Sequence, residues 1–146
     1  DNKTERFLEL LEKDKKYTIE EFERFADKIR SKRYELKSKL QILKDNGNTI
    51  YAYGAPAKGN TLLNYFGIND KLVDKAVEIN ELKIDNYLPG SHIPITKESD
   101  EDLPDYYLLL SHNFEEEIIR KNESIMLKGV KFITPFPRIK IIGRHR

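Results

Sequence analysis

The sequence predicts an α/β fold, a Rossmann-like three-layer domain with a mainly parallel sheet, preceded by an N-terminal helical segment that contains one long amphipathic helix. Three observations predict it. Residues 1–46 show helical periodicity, the chain beyond Asn48 alternates short β-branched or aromatic runs with helical stretches, and the links between them are short. Such alternation is typical of parallel sheets with right-handed crossovers. We therefore divide the chain into a helical segment, residues 1–46, and a Rossmann-like domain, residues 47–146.

The long helix is predicted from its start signal, its apolar stripe and its stop signal. Thr18 and Glu21 have the spacing of a capping box, in which each side chain satisfies a free backbone N–H group. Asn46 and Gly47 supply a left-handed stop. The stripe between them has helical spacing and consists of Ile19, Phe22, Ala26, Ile29, Leu36, Leu40 and Leu43. Such a helix is roughly 40 Å long, so we expect part of it to bridge to something outside this chain.

The second half of this helix is strongly basic. Between Lys28 and Lys44 the chain has seven Lys or Arg and a single acid, Glu35. One interpretation is a surface that binds phosphate or RNA. The other is the solvent-exposed face of an amphipathic helix, which we favour because charge runs of this kind are commonly solvated.

Composition excludes several classes of function. The chain has 26 Lys and Arg against 25 Asp and Glu, a formal charge of +1, which gives no overall case for nucleic acid or an anionic membrane as partner. Cysteine is absent, which excludes disulfides, thiolate zinc sites and cysteine nucleophiles. The apolar runs are too short to span a membrane and no signal-peptide core opens the chain, so we predict a cytoplasmic location. Because the sequence begins at Asp1 without Met, we expect a fragment of a longer protein.

The Rossmann-like part is predicted to contain four strands and two helices. Tyr106–Leu110 is apolar enough to be buried on both faces, as parallel strands are. Asn113 is the expected N-cap of the second helix, and Gly129 lies just past its end. Residues 92–95 are expected to add a short strand or a turn. The strands are 49–53, 73–79, 106–110 and 130–134, and the helices are 61–66 and 114–126.

Ligands bind at the carboxyl ends of the strands in open parallel sheets, and residues 54–61 follow the first strand. Their small side chains let a ligand approach the backbone, the next helix presents free N–H groups to an anion, and a lysine adds positive charge. A tight turn without ligand is the alternative, which we consider weaker because eight consecutive residues are of this type. The candidate binding residues are Gly54, Ala55, Lys58, Gly59, Asn60 and Thr61.

The same segment excludes two familiar phosphate sites. Asn60 stands where a P-loop requires Lys, and no acid ends the 106–110 strand to hold magnesium. Pro56 stands where the dinucleotide fingerprint requires its second glycine. We therefore expect neither NTP hydrolysis nor a standard dinucleotide site.

Two further segments follow strand ends. Glu78 lies at about the interval of 20 residues at which Rossmann sites place an acid on a ribose hydroxyl, although an exposed strand-end carboxylate is as good an interpretation. His112 is placed for general-base work or ligand contact, and a ring that packs or caps is the alternative. His92 is expected to shape a rigid turn. The three histidines are too dispersed for a metal site.

Read together, these segments resemble the C-terminal domain of the SAM-dependent sugar C-methyltransferases, which modify nucleotide-linked keto-deoxysugars. The resemblance covers residues 48–137, and its most specific blocks are 54–60 and 88–95. It departs from the family pattern at Glu78 and Ile79, where Asp-Arg is common, and at His112, where Trp is common. These departures leave the identity of the bound group open.

The resemblance implies a role in holding a nucleotide-sugar and closing the substrate cleft, with no catalytic residue in this chain. SAM and zinc are implied for the full-length enzyme, in preceding parts that include the SAM-binding domain, and no cofactor is expected on this fragment. The alternatives are a stand-alone module that binds a phosphorylated metabolite and a structural or oligomerisation domain. The positions carried over from the family are Gly54, Lys58, Gly59, Asn60, Glu78, Asn80, His92 and Asn113.

Overall fold

The computed structural model describes residues 19–54, 57–78, 85–110, 115–135 and 138–144. Its helices are α1 (Ile19–Asp45), α2 (Ala57–Phe66), α3 (Glu115–Lys121) and α4 (Glu123–Leu127). Its strands are β1 (Ile50–Tyr53), β2 (Lys75–Glu78), β3 (Ile95–Lys97), β4 (Tyr106–Leu109), β5 (Lys131–Thr134) and β6 (Lys140–Ile142).

All six strands form one sheet with the order β3-β2-β1-β4-β5-β6. Strands β1 to β5 are parallel to one another, and β6 pairs with β5 antiparallel. This is the strand order of doubly wound nucleotide-binding domains, and the order reverses between β1 and β4. The predicted α/β fold with a mainly parallel sheet is therefore confirmed.

Side chains of alternate residues fill a core on each face of the sheet. On the first face, Ile50 and Ala52 of β1 pack with Leu36 and Leu40 of α1 and with the apolar side of α2. On the second face, the neighbouring tyrosines of β1 pack with Phe132 and with residues of α3 and α4. Burial on both faces explains why the central strands have nearly continuous runs of apolar and aromatic residues.

Helix α1 has 27 residues, which corresponds to about 40 Å. It ends as predicted, because Gly47 has φ +85° and Asn48 N–H donates to Leu43 O at 3.0 Å, an arrangement that satisfies the last carbonyls of the helix. Thr18 of the predicted capping box lies outside the described residues. No helix among the described residues is both long and apolar enough to cross a membrane.

Several cations of α1 have carboxylate neighbours. Arg30 pairs with Asp27 at 2.5 Å, Lys39 lies 3.9 Å from Glu35, and Lys44 lies 2.7 Å from Asp74 of the loop before β2. For these three of the seven cations, the interpretation of the stripe as an ordinary helix surface is supported, since their positive charge is matched within the chain.

The structure corrects several predicted boundaries. The first helix of the Rossmann-like part begins at Ala57 rather than residue 61, directly after Pro56, a residue that favours helix starts. The predicted helix 114–126 is divided at Asn122, whose side-chain amide donates to Ile118 O at 2.8 Å. Strand β2 is shorter than predicted, and the three-residue strand β6 was not predicted.

Two aspartates fix the start of the central strand β1 through hydrogen bonds to its backbone. Asp74 Oδ2 accepts from the backbone N–H of Ile50 at 2.9 Å while the same carboxylate pairs with Lys44 of α1. Asp105 Oδ2 accepts from the backbone N–H of Thr49 at 2.8 Å. One carboxylate thus joins α1 to β1 and the loop before β2, and the other joins β1 to the loop before β4.

Replacing Asp74 by Ala should lower the free energy of unfolding by about 2 kcal/mol, because a hydrogen bond to a charged group and an ion pair are lost together. Asp74→Asn keeps an acceptor for Ile50 N–H and removes only the charge, so it should cost about 1 kcal/mol. Urea unfolding of both variants measures the difference. Equal losses for Ala and Asn would show that the bond to Ile50 contributes nothing.

Candidate functional site

The candidate site is the crevice at the carboxyl ends of β1 and β4. The connection after β1 leads into α2 on the first face, and the connection after β4 leads toward α3 on the second face. In open parallel sheets, ligands bind at this edge, where the strand order reverses. Gly54 stands at its edge with φ +80°, which glycine adopts without strain, and its N–H donates to Val77 O of β2 at 3.0 Å.

The predicted binding residues 58–60 lie in the first turn of α2, not in a loop as the sequence indicated. The first backbone N–H groups of a helix have no partners within the helix, so this turn presents donors to an anion. Thr61 lies in the next turn and is half-buried. Ala55 lies outside the described residues. The helix start thus brings Gly59 and Asn60 near Gly54 at the same edge of the sheet.

Glu78 is the last residue of β2 and is half-buried at the carboxyl edge. Strand alternation places it on the first face with Ala76, the face that α2 covers. Glu98 follows β3 at the same edge, and its N–H points to Glu78 O at 3.4 Å. The structure therefore brings Glu78 to the same edge as Gly54. The predicted residues Asn80, His112 and Asn113 lie outside the described residues.

His92 occupies a different part of the molecule. It belongs to a tight turn, 88–93, that precedes β3 and contacts the loop before β2, where Asp70 N–H donates to Ser91 O at 3.2 Å. Its backbone has φ +59°, and its exposed ring meets Tyr87 edge-on at 6.3 Å. The structure does not bring His92 together with Gly54 and Glu78, because the turn lies on the amino-terminal side of the sheet.

The amide of Asn64 in α2 connects the two most specific sequence blocks. It donates to Pro89 O of the turn at 2.9 Å and to Asn60 O at 3.0 Å. Gly90 has φ +84°, and a Cβ atom at this position would lie 2.3 Å from Asn64 Oδ1. Packing of the turn against α2 thus accounts for the asparagine and the glycine without a ligand.

Sequence reasoning missed a polar group on the second face, directly behind the crevice. Tyr53, the last residue of β1, donates its hydroxyl to Glu98 Oε1 at 3.1 Å and accepts from Asn122 Nδ2 at 3.1 Å. Burial raises the pKa of Tyr53 to about 12, and the nearby Glu98 carboxylate adds to this shift. The signal for this group was the spacing of Tyr51 and Tyr53 on one face, because buried tyrosine hydroxyls need polar partners.

A second tyrosine that is hydrogen-bonded to a carboxylate lies near the start of β1. Tyr51 donates its hydroxyl to Asp102 Oδ1 at 2.7 Å, and Lys75 pairs with the second oxygen of the same carboxylate. The Lys75 ammonium also lies 4.7 Å from the centre of the Tyr51 ring. Burial, followed by the bond to Asp102, raises the pKa of Tyr51 to about 12. The bonds from Lys75 and Tyr51 lower the pKa of Asp102.

The raised pKa of Tyr53 determines what its hydroxyl does near neutral pH. A tyrosine held protonated, as Tyr53 is, donates hydrogen bonds but is a poor base near neutral pH. Glu78 and Glu98 add carboxylates at the same edge, and carboxylates accept hydrogen bonds from hydroxyl groups. Within the described ranges no group of three or more His, Asp or Glu side chains is placed to hold a metal ion.

Comparison with known proteins identifies sequence relatives. The family model of the C-methyltransferase C-terminal domain matches residues 1–137. The C-methyltransferase NovU of Streptomyces niveus is 32% identical over 124 residues, which is 84% of this chain and 30% of the relative. The chain therefore spans less than a third of the length of this relative.

The raised tyrosine pKa values predict a loss of stability in alkali. A tyrosine whose pKa is about 12 in the folded chain and about 10 when unfolded gives full stability below pH 10 and loses it as the pH rises toward 12. In that window each such tyrosine lowers the free energy of unfolding by up to about 1.4 kcal/mol per pH unit. Unfolding curves at several pH values, repeated with Tyr51→Phe and Tyr53→Phe, should show a shallower fall for each variant. If the fall of stability with pH were as steep in both variants as in wild type, the raised pKa values of the two tyrosines would be contradicted.

Gly90 and Gly47 offer a matched pair for the contact between the turn and α2. Both have positive φ, but the space around Gly47 is open. Gly47→Ala should cost about 1 kcal/mol for the left-handed backbone alone. Gly90→Ala should cost about 1–2 kcal/mol more, because Asn64 must shift and give up its hydrogen bond to Pro89. Thermal unfolding of the two variants provides the comparison, and equal costs would exclude the clash with Asn64.

Proposed function

Because the chain belongs to the C-methyltransferase C-terminal domain family, we propose that it is the substrate-side domain of a SAM-dependent C-methyltransferase acting on a nucleotide-linked sugar. In this role it binds the nucleotide-sugar and helps to close the substrate cleft. It is a methyltransferase-associated domain by family membership. The substrate class and the cleft closure are the parts that we propose.

The observation that carries the proposal is the reversal of strand order between β1 and β4, with Gly54 and the first turn of α2 beside it. Free helix N–H groups and a glycine that permits close approach favour a phosphate or diphosphate group. Glu78 at the end of β2 repels phosphate and accepts hydrogen bonds from sugar hydroxyls. This division of charge favours a ligand with an anionic part and a hydroxyl-rich part, as a nucleotide-sugar has.

SAM and zinc do not fit the residues of this chain. It has no cysteine, so it lacks the donors of a thiolate zinc site. It also has no acid followed by a Gly-x-Gly loop of the kind that SAM sites use. We therefore assign SAM and zinc to other parts of the full-length enzyme, and methyl transfer is not expected from this chain alone.

A second candidate is a structural domain whose crevice binds nothing. The Asn64 contacts favour it, since they explain parts of both specific sequence blocks through packing alone. A stand-alone module for a phosphorylated metabolite is the third candidate, because the first turn of α2 suits any phosphate. Direct binding measurements separate the three.

Lys58→Ala should weaken binding of nucleotide-diphosphate sugars roughly ten- to a hundredfold, because one charge-assisted hydrogen bond is lost. The free energy of unfolding should change by no more than about 0.5 kcal/mol. Isothermal titration calorimetry with a panel of nucleotide-diphosphate sugars gives the dissociation constants. Lys71→Ala, an exposed lysine in the loop before β2, should leave them unchanged.

Two controls complete this experiment. SAM titrated into the chain should give no binding, and micromolar SAM affinity would contradict the assignment of SAM to another domain. Inorganic pyrophosphate that binds as tightly as the nucleotide-sugars would favour the general phosphate module. Equal dissociation constants for wild type and Lys58→Ala would remove Lys58 from the site.

A further inference from the structure

Three polar side chains from separate parts of the chain meet behind the carboxyl end of β1. Asn122, between α3 and α4, donates to the Tyr53 hydroxyl, which in turn donates to Glu98 in the connection between β3 and β4. Asn122 and Tyr53 are buried, and Glu98 is half-buried. The three form a continuous hydrogen-bonded chain from the helices on the second face, through β1, to the end of β3.

Packing alone does not require this series of hydrogen bonds. The Tyr53 ring already has edge-on contacts with Tyr107 and Phe132, at 5.2 Å and 5.7 Å between ring centres, and a phenylalanine would keep both. Burying a hydroxyl and an amide costs free energy unless each finds a partner. Asn122 also interrupts the helix that the sequence otherwise predicts. A polar chain with these costs fixes geometry more than it adds net stability.

The geometry that it fixes is that of Gly54. Tyr53 immediately precedes this glycine, whose N–H donates to Val77 O and which has a φ of +80°. Holding the Tyr53 ring from two sides limits rotation of the strand end and keeps the first residue of the crevice in place. Glycine has the largest backbone freedom of all residues, so a fixed neighbour matters most here.

We propose that Tyr53, Glu98 and Asn122 are positioning residues for the crevice, acting through Gly54 on the nucleotide-sugar. This inference rests on the proposed function for the identity of the ligand, and on the geometry alone for the effect on Gly54. The three residues act behind the backbone of the site.

The protein contains an internal control for the Tyr53 hydroxyl. Tyr51 makes a hydrogen bond of the same type, to Asp102, from the same face of the same strand, and its pKa is raised to about the same value. It lies at the amino-terminal side of Tyr53 and is not adjacent to Gly54. Tyr51→Phe and Tyr53→Phe thus each remove a tyrosine hydroxyl bonded to a carboxylate, but only Tyr53 is next to Gly54.

The first test is amide hydrogen exchange of Gly54 by NMR, which needs no ligand. Tyr53→Phe should speed exchange at Gly54 about tenfold relative to Tyr51→Phe. Glu98→Gln retains an acceptor for the Tyr53 hydroxyl and should behave like wild type, whereas Glu98→Ala should behave like Tyr53→Phe. Equal exchange rates at Gly54 in both tyrosine variants would overturn the proposal. So would equal rates in the two Glu98 variants.

The second test is calorimetry with the nucleotide-sugar that the wild-type chain binds most tightly. Tyr53→Phe should weaken binding about tenfold, and Tyr51→Phe should leave it unchanged. Binding by wild type with equal losses in both variants would overturn the positioning role and leave the proposed function intact. Absence of wild-type binding together with the predicted Gly54 exchange pattern would overturn the proposed function and support the positioning of Gly54.

Discussion

The fold depends on a central strand of only four residues, β1, that is buried on both faces and paired on both edges. A strand this short has few ladder hydrogen bonds of its own, so its ends must be fixed by side chains. Asp74 and Asp105 accept the N–H groups at its start, and the Tyr53 hydroxyl group is held at its end. Because right-handed crossovers run in opposite directions across the sheet on either side of β1, the helices after β1 and β4 cover opposite faces.

The second face shows how the chain compensates for a missing helix. The connection from β3 to β4 is short and contains no helix, although a crossover of this type commonly has one. Two acids of this connection, Glu98 and Asp102, accept hydrogen bonds from Tyr53 and Tyr51 instead. Each bond contributes modestly to stability, about 1 kcal/mol or somewhat more because the acceptor is charged. Together they hold the connection along the sheet at two points.

Sequence reasoning succeeded where one residue type has one dominant structural use. Gly47 ended α1, and the apolar runs around Tyr107 and Phe132 gave the buried strands in nearly correct positions. It failed where contacts between distant segments determine the local structure. Asn122 looks like an ordinary helix residue until Tyr53 lies beside it, and nothing local in the sequence connects the two. The sequence predicted that Gly54 and Glu78 lie at the carboxyl edge of the sheet, where the structure has them. It did not predict the polar residues behind this edge, because their contacts join distant segments.

Tight binding of the proposed ligand at this edge of the sheet would need a second wall. Small-molecule sites commonly bury about 70–90% of their ligand, whereas a single sheet edge contacts a ligand from one side. The helix start and Gly54 would orient the phosphate of the proposed ligand, and Glu78 would orient its hydroxyl groups, but the opposite side of the ligand would stay in water. A second surface would exclude that water and strengthen each of these contacts, because hydrogen bonds to charged groups gain strength in a low dielectric. The proposed cleft closure would supply that second surface, because this edge alone encloses little of a ligand.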